Sequence, residues 1–267
     1  MEGGERPVRM GPETPLHPLR TFHPLHPPPV LLLALETATD VCGAALHDGR
    51  RVVADAAVRL PRSHAARLVP MVEGLLAHVG AEAADLDAVA VSAGPGSYTG
   101  LRIGASTAKG LAWAAGAALV AVPSLEAMAR AAWPAAGFDP ILAAFPSRRG
   151  EVYAARFRPA ADGLVPLGEP TALTLAEAES WAPSDDEALT LVGPAAGAVA
   201  EALRRAGYGR FRVFDAEPSA IHVAALGAER LESGRTENVA AWEPYYLKAF
   251  VAGPPRPIFS GSEGARE

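Results

Sequence analysis

Residues 31–58 read LLLALETATDVCGAALHDGRRVVADAAV, three apolar segments divided by short polar turns. Residues 30–35 form an unbroken apolar run, the pattern of a strand covered on both sides. Residues 41–47 follow a Thr-rich turn, and Asp48-Gly49 turns the chain into 51–58. Together they predict a three-strand meander. Beyond it the period changes. Ser63 stands as N-cap of a helix with Leu68, Met71, Val72, Leu75, Leu76 and Val79 on one face, and Gly80 stops it. Residues 86–92 read as a strand entering the loop Gly94-Pro95-Gly96-Ser97-Tyr98-Thr99-Gly100. A helix dense in small residues takes 101–115, a strand 119–122, and Pro123-Ser124 opens a helix through about 132. The order βββαβαβα over 30–133 makes a layered α/β lobe.

The second half repeats the theme with weaker signals. Strands at 141–145 and 152–157 flank the turn Pro146-Ser147-Arg148-Arg149-Gly150. A short strand at 189–192 leads through Gly193-Pro194 into a helix ending near 206. Residues 221–231 are a further helix, and 243–247 a last edge segment. The expected organisation is a disordered extension over 1–29, a first lobe over 30–133, a smaller C-terminal lobe over 134–251 and a flexible tail over 252–267. The extension holds eight of the 25 prolines together with His17, His23 and His26. Proline removes backbone donors and fixes φ, so such a stretch has no fold of its own.

A chain of 267 residues is long enough for one large or two small domains with real cores. Lys plus Arg number 24 against 30 Asp plus Glu, a net charge of −6, which suits it poorly to gripping nucleic acid alone. Cys42 is the one cysteine, which excludes a disulfide framework and a cysteine-based zinc site. The longest apolar runs fall far short of a membrane span, so a cytoplasmic protein is expected.

GPGSYTGLRIG, residues 94–104, sits between an apolar strand and a helix, where backbone N–H groups and the positive helix end can face an anion. Gly94, Gly96 and Gly100 permit close backbone approach; Ser97 and Thr99 offer hydroxyls, and Arg102 a cation. A phosphate or carbonyl cradle is one reading. A tight crossover with glycines only for geometry is the other. The spacing is neither the dinucleotide fingerprint nor a P-loop. Glu36, Thr37 and Thr39, ending the first strand, add an acid and hydroxyls and resemble the first phosphate loop of the actin and sugar-kinase superfamily. Catalytic signals are missing: Ser97 has Pro95 where a nucleophile elbow needs glycine, His64 has no positioned acid, and no H-x-x-x-H metal pair occurs. The small-residue helix and the amphipathic helix over 65–79 each offer a stripe that is either core or a partner surface.

LLLALETATDVCGAALHDG, SHAARLVPMVEGLL, GPGSYTGLRIGASTAKGLA, PSLEAMA, GEVYAARF and EPYYLK occur in order over residues 31–248. Together they resemble the bacterial TsaB (YeaZ) family of tRNA threonylcarbamoyladenosine biosynthesis proteins. The resemblance implies an actin-like ASKHA fold of two α/β lobes with mixed sheets flanked by helices. It implies a non-catalytic partner of the TsaD-type transferase, acting with a TsaE-type ATPase to form N6-threonylcarbamoyladenosine on tRNA beside the anticodon. Contact with tRNA is then indirect, and a homodimer through the same helices is a third arrangement. No intrinsic cofactor or metal is implied, with ATP or ADP at the partner interface left open. The partner interface falls on Leu68, Met71, Val72, Leu75, Ile103, Ser106, Thr107 and Lys109. Where family members read D-A-R-x-G-E-V-Y, this chain has Pro146 in place of the Asp, while Arg148, Gly150 and Glu151 match. A stand-alone kinase-like enzyme or a metallopeptidase-like protein is the alternative. The first would need an acid with glycine in the first loop, and the second an H-x-x-x-H pair.

Overall fold

The computed structural model describes residues 30–148, 150–182 and 187–248. The expected extension over 1–29, with its three histidines, and the tail over 252–267 lie outside them. In chain order the elements are β1 (Leu32–Glu36), β2 (Cys42–His47), β3 (Val52–Val58), α1 (His64–Val79), β4 (Ala88–Ser92), α2 (Tyr98–Ala115), β5 (Ala118–Val122) and α3 (Ser124–Ala136). Then come β6 (Ile141–Pro146), β7 (Glu151–Ala160), β8 (Gly163–Pro166), β9 (Thr171–Thr174), β10 (Leu189–Val192), α4 (Ala196–Arg205), β11 (Phe211–Phe214) and α5 (Ala220–Glu232).

The two sheets are built alike. The first runs β3-β2-β1-β4-β5, with β1, β2 and β3 antiparallel and β4 and β5 parallel to β1. The second runs β8-β7-β6-β10-β11, with β7 and β8 antiparallel and β10 and β11 parallel to β6; β9 adds to the β7 side. In each, a central strand carries a meander on one side and parallel crossovers on the other. Two α/β lobes with this shared strand order are the actin-like arrangement expected above.

Side-chain size decides what covers each face. Along β1, β2 and β4 the residues facing α1 and α2 are large: Leu33, Leu35, Leu46, Val89 and Val91. Those on the opposite face are mostly alanine, with Ala34, Ala45, Ala88 and Ala90 packed against Val223, Ala224 and Leu226 of α5. Alanine there brings α5 in so closely that a Cβ on Gly227 would lie 2.6 Å from the Cβ of Ala90. The second sheet alternates likewise. Ile141, Ala143 and Phe145 of β6 face Leu125, Met128 and Ala132 of α3, while Leu142 and Ala144 face Val199 and Leu203 of α4.

This packing departs from a division of the chain at residue 133. The helix α3, encoded before that point, covers the second sheet, and α5, encoded last, returns to cover the first. The two helices touch and are tied by Arg130–Glu229 and Arg230–Glu126 ion pairs of 2.7 and 2.6 Å. Residues 243–247 form no strand; they run extended, with Tyr245 N–H donating to Ala93 O. Ser63 begins α1 through its backbone carbonyl, but its hydroxyl turns back to Leu60 O and caps nothing. Gly227→Val is expected to cost about 2 kcal/mol or more in urea unfolding, since the helix cannot retreat from the sheet without opening its own face; an unchanged midpoint would contradict the close approach.

Candidate functional site

Strand β1 ends in the segment that sequence reading singled out, and the structure tucks it underneath the glycine loop. Glu36 and Thr37 are 1% and 0% exposed. Glu36 Oε1 accepts from the Ala38 N–H at 2.7 Å and from Ser92 Oγ at 3.3 Å, and Ser92 Oγ in turn accepts from the Thr37 N–H. Ser97 N–H donates to Ala38 O at 2.7 Å, which ties the glycine loop to this segment. A Cβ on Gly96 would lie 2.3 Å from Ala38 O, one on Gly100 2.0 Å from Thr37 O, and one on Gly104 2.2 Å from Thr37 Oγ1. The protein's own backbone fills the space those glycines leave. Close packing against Thr37 and Ala38 accounts for the glycines at 96, 100 and 104.

The predicted loop residues are therefore divided. Glu36, Thr37 and Gly100 are buried in the joint; Thr39, Gly96 and Ser97 face the cleft between the lobes; Thr99 and Arg102 face the outside of α2. Gly94, at φ +106°, sits beneath Tyr245 O, 2.3 Å from where its Cβ would be. Ser97 caps α2, accepting the Gly100 N–H at 3.2 Å, so the helix begins at Tyr98 rather than at Leu101.

The interlobe cleft has a volume of about 680 Å³. Thr39, Asp40, Ser97 and Tyr98 line it from the first lobe, and Phe145, Ser147, Arg148 and Tyr153 from the second. Pro146, which stands where the resemblance led to an Asp, puts an apolar ring in the same wall. Ion pairs frame the opening: Arg59 with Glu217, and Lys248 with Glu151 of β7. The segment 243–248 reaches into the cleft through Tyr246, Leu247 and Lys248. Sequence reading gave 243–247 no role in a site, because nothing local ties it to residues some 97 positions earlier.

The predicted partner stripe needs correction. Leu68, Val72 and Leu75 point inward and pack with Leu33, Leu35 and Val91; Met71 is partly buried against the same core. An amphipathic helix buries its apolar stripe against the nearest apolar face, and here that face is the chain's own sheet. Lys109 is half-exposed, its Nζ engaged within the chain by donating to Ala240 O at 3.1 Å and Trp242 O at 3.0 Å. Ile103, Ser106 and Thr107 do reach the surface, lining a groove of about 470 Å³ with Ala65, Thr99 and Arg102. Sequence reading missed Trp113, which is 76% exposed. It follows Ser106 by seven residues, two helical turns, and so extends the same face.

Among the described residues no group of three or more His, Cys, Asp or Glu side chains is placed to hold a metal ion, and no helix is long and apolar enough to cross a membrane. Burial pushes the Glu36 carboxyl from its ordinary 4.5 up to about 7, with the bonds from Ala38 and Ser92 pulling back only in part. The same burial, with Glu36 nearby, raises the Cys42 thiol. Since the folded state resists ionising Glu36, stability falls as pH rises through 4.5, where the unfolded chain ionises first, and levels off above 7. The loss is roughly 3 kcal/mol. Glu36→Gln is expected to remove that slope, so its advantage in urea unfolding grows from pH 5 to pH 8; parallel curves would place the carboxylate in a more solvated setting. Leu75→Glu, by contrast, is expected to unfold the chain at neutral pH, read by far-UV circular dichroism, because a lone carboxylate in that core costs several kcal/mol.

The family described as TsaD, tRNA N6-adenosine threonylcarbamoyltransferase, matches residues 59–202, more than half of the chain. The tRNA threonylcarbamoyladenosine biosynthesis protein TsaB of Escherichia coli (strain K12) is 40% identical over 133 residues, 50% of this chain and 57% of that protein. The chain thus spans little more than half the length of the curated relative it matches. Two solved structures from Pseudomonas aeruginosa superpose on 82% of this chain and 100% of their own. One, an uncharacterized protein with similarity to peptidase YeaZ, has a TM-score of 0.71 at 27% identity. The other, YeaZ, has a TM-score of 0.67 at 28% identity. With the same two-lobed fold and the GPGSYTGLRIG loop in place, the chain belongs to the TsaD family, on its TsaB/YeaZ branch.

Proposed function

We propose that this chain is a non-catalytic partner and activator of a TsaD-type transferase in forming N6-threonylcarbamoyladenosine on tRNA next to the anticodon, together with a TsaE-type ATPase in the cytoplasm. Family membership supplies the pathway. The outer face of α2 carries the partner reading. Thr99, Ser106 and Gly110 are exposed there and small, and Trp113 stands out beside them at 76% exposure. Small residues let a second helix approach closely, and an exposed Trp is a frequent anchor at protein interfaces. The neighbouring face of α1 adds Arg67, Pro70 and Gly74, all at least partly open, with nothing within 4 Å of where a Cβ on Gly74 would be.

The filled cradle supports a partner rather than an enzyme. With the Thr37 and Ala38 carbonyls against Gly100 and Gly96, the inner side of the glycine loop is filled by the chain's own backbone, and the acid of the first loop, Glu36, is buried. ATP or ADP, in this reading, binds at the joint surface, where Arg102 lines the groove along α2. A second copy of this chain would use the same face and compete with the transferase, and tRNA would be met through the partner.

Two substitutions test the surface without touching the core. Ser106→Arg and Trp113→Glu are each expected to weaken co-elution with the TsaD-type transferase at least tenfold, with melting temperatures unchanged, since truncating or blocking an interface anchor costs about 2 kcal/mol. Total tRNA from cells carrying either variant is expected to lose threonylcarbamoyladenosine by nucleoside mass spectrometry. Full binding by both variants would move the interface elsewhere; normal nucleoside levels after removing the protein altogether would overturn the role itself.

A further inference from the structure

We propose that residues 237–248 are a strap that couples the interlobe cleft to the outer surface of α2, with the Tyr98–Tyr246 ring pair as its moving part. The strap starts at the edge of the first sheet, where Glu237 N–H donates to Leu119 O at 2.8 Å. It then crosses α2. Trp242 packs, half-buried, against the core of the first lobe, and Lys109 holds the carbonyls of Ala240 and Trp242. Tyr245 N–H bonds Ala93 O just before the glycine loop. The far end belongs to the other lobe, because Lys248 pairs with Glu151 on β7.

Tyr98 stands at the meeting of three hollows. It lines the interlobe cleft, the groove between α1 and α2, and a third groove of about 410 Å³ between α2 and the strap. Tyr246 lines the cleft and that third groove, and its ring lies 4.9 Å from the ring of Tyr98. The ring pair is therefore a wall shared by the cleft and the α2 surface. Arg102, one turn along α2, lies over the Tyr98 ring at 5.5 Å and donates to its hydroxyl. Behind the cleft, α3 and α5 join the lobes through the Arg130–Glu229 and Arg230–Glu126 pairs. Any change in lobe separation is then largest at the front, where Lys248 is carried with Glu151. Only two residues separate Tyr245, fixed to the first lobe, from Lys248, fixed to the second. Tyr246 is one of them.

The coupling is independent of what α2 binds, and hydrogen exchange reads it on the full chain. Lys248→Met and Glu151→Gln are each expected to speed amide exchange at Tyr245, and at Gly100 and Leu101 in the first turn of α2, by up to about fivefold, the limit for a half-exposed ion pair. The charge swap Lys248→Glu with Glu151→Lys is expected to restore the slow rates. Arg59→Met serves as the control: it breaks the other ion pair across the cleft, to Glu217, which does not touch the strap, and is expected to leave those amides unchanged. Unchanged exchange at Gly100 and Leu101 in the Lys248 and Glu151 variants would overturn the coupling. So would an equal effect of Arg59→Met, which would show lobe separation acting without the strap.

Discussion

Two backbone carbonyls and the glycines opposite them govern the arrangement of the first lobe. Thr37 O and Ala38 O occupy the volumes that side chains on Gly100 and Gly96 would need, and Thr37 Oγ1 the volume opposite Gly104. Where these surfaces meet sets the height and rotation of α2 over β1. From that setting follow the Ser97 cap, the position of Tyr98 in the cleft wall, and the outward aim of Ser106 and Trp113. The burial of Glu36 follows too. An acid is kept under the loop at a cost in stability, since the same packing shuts it away from water.

Each sheet is closed by helices drawn from both halves of the chain, and residue size sorts them. The leucine-rich side of the first sheet takes α1 and α2, while its alanine side admits α5 close enough to need Gly227. The result is two lobes that share strand order yet cannot be cut apart in sequence. Ion pairs between α3 and α5 lie at that crossing, partly shielded from solvent, where they hold better than they would on an open surface.

The meander, α1, the glycine loop and the mixed character of the first sheet were legible because their signals are local: apolar runs, a helical stripe, Asp-Gly and Gly stops. The strands β8, β9 and β11 were not, being four residues each, partly exposed and at or beside a sheet edge, so no strong apolar alternation marks them. Leu68, Val72 and Leu75 form the same stripe whether they meet a partner or their own sheet, and periodicity cannot separate those outcomes. Lys109 is similar: its carbonyl partners lie more than 130 residues away in sequence. The glycine loop was ambiguous for a deeper reason. A phosphate cradle and a close backbone contact both require the absence of Cβ, and only the position of Thr37 and Ala38 distinguishes them.

The late position of α5 has a consequence for how the chain is made. All five strands of the first sheet have been synthesised by residue 122, but the helix that covers their alanine side ends at residue 232. At ordinary rates of synthesis that face waits roughly ten seconds for its cover. During that interval it is an open apolar sheet surface, a natural client for chaperones. A message broken within the second half would release a first lobe that can pair its strands but cannot close, which makes this protein all-or-none in manufacture as well as in shape.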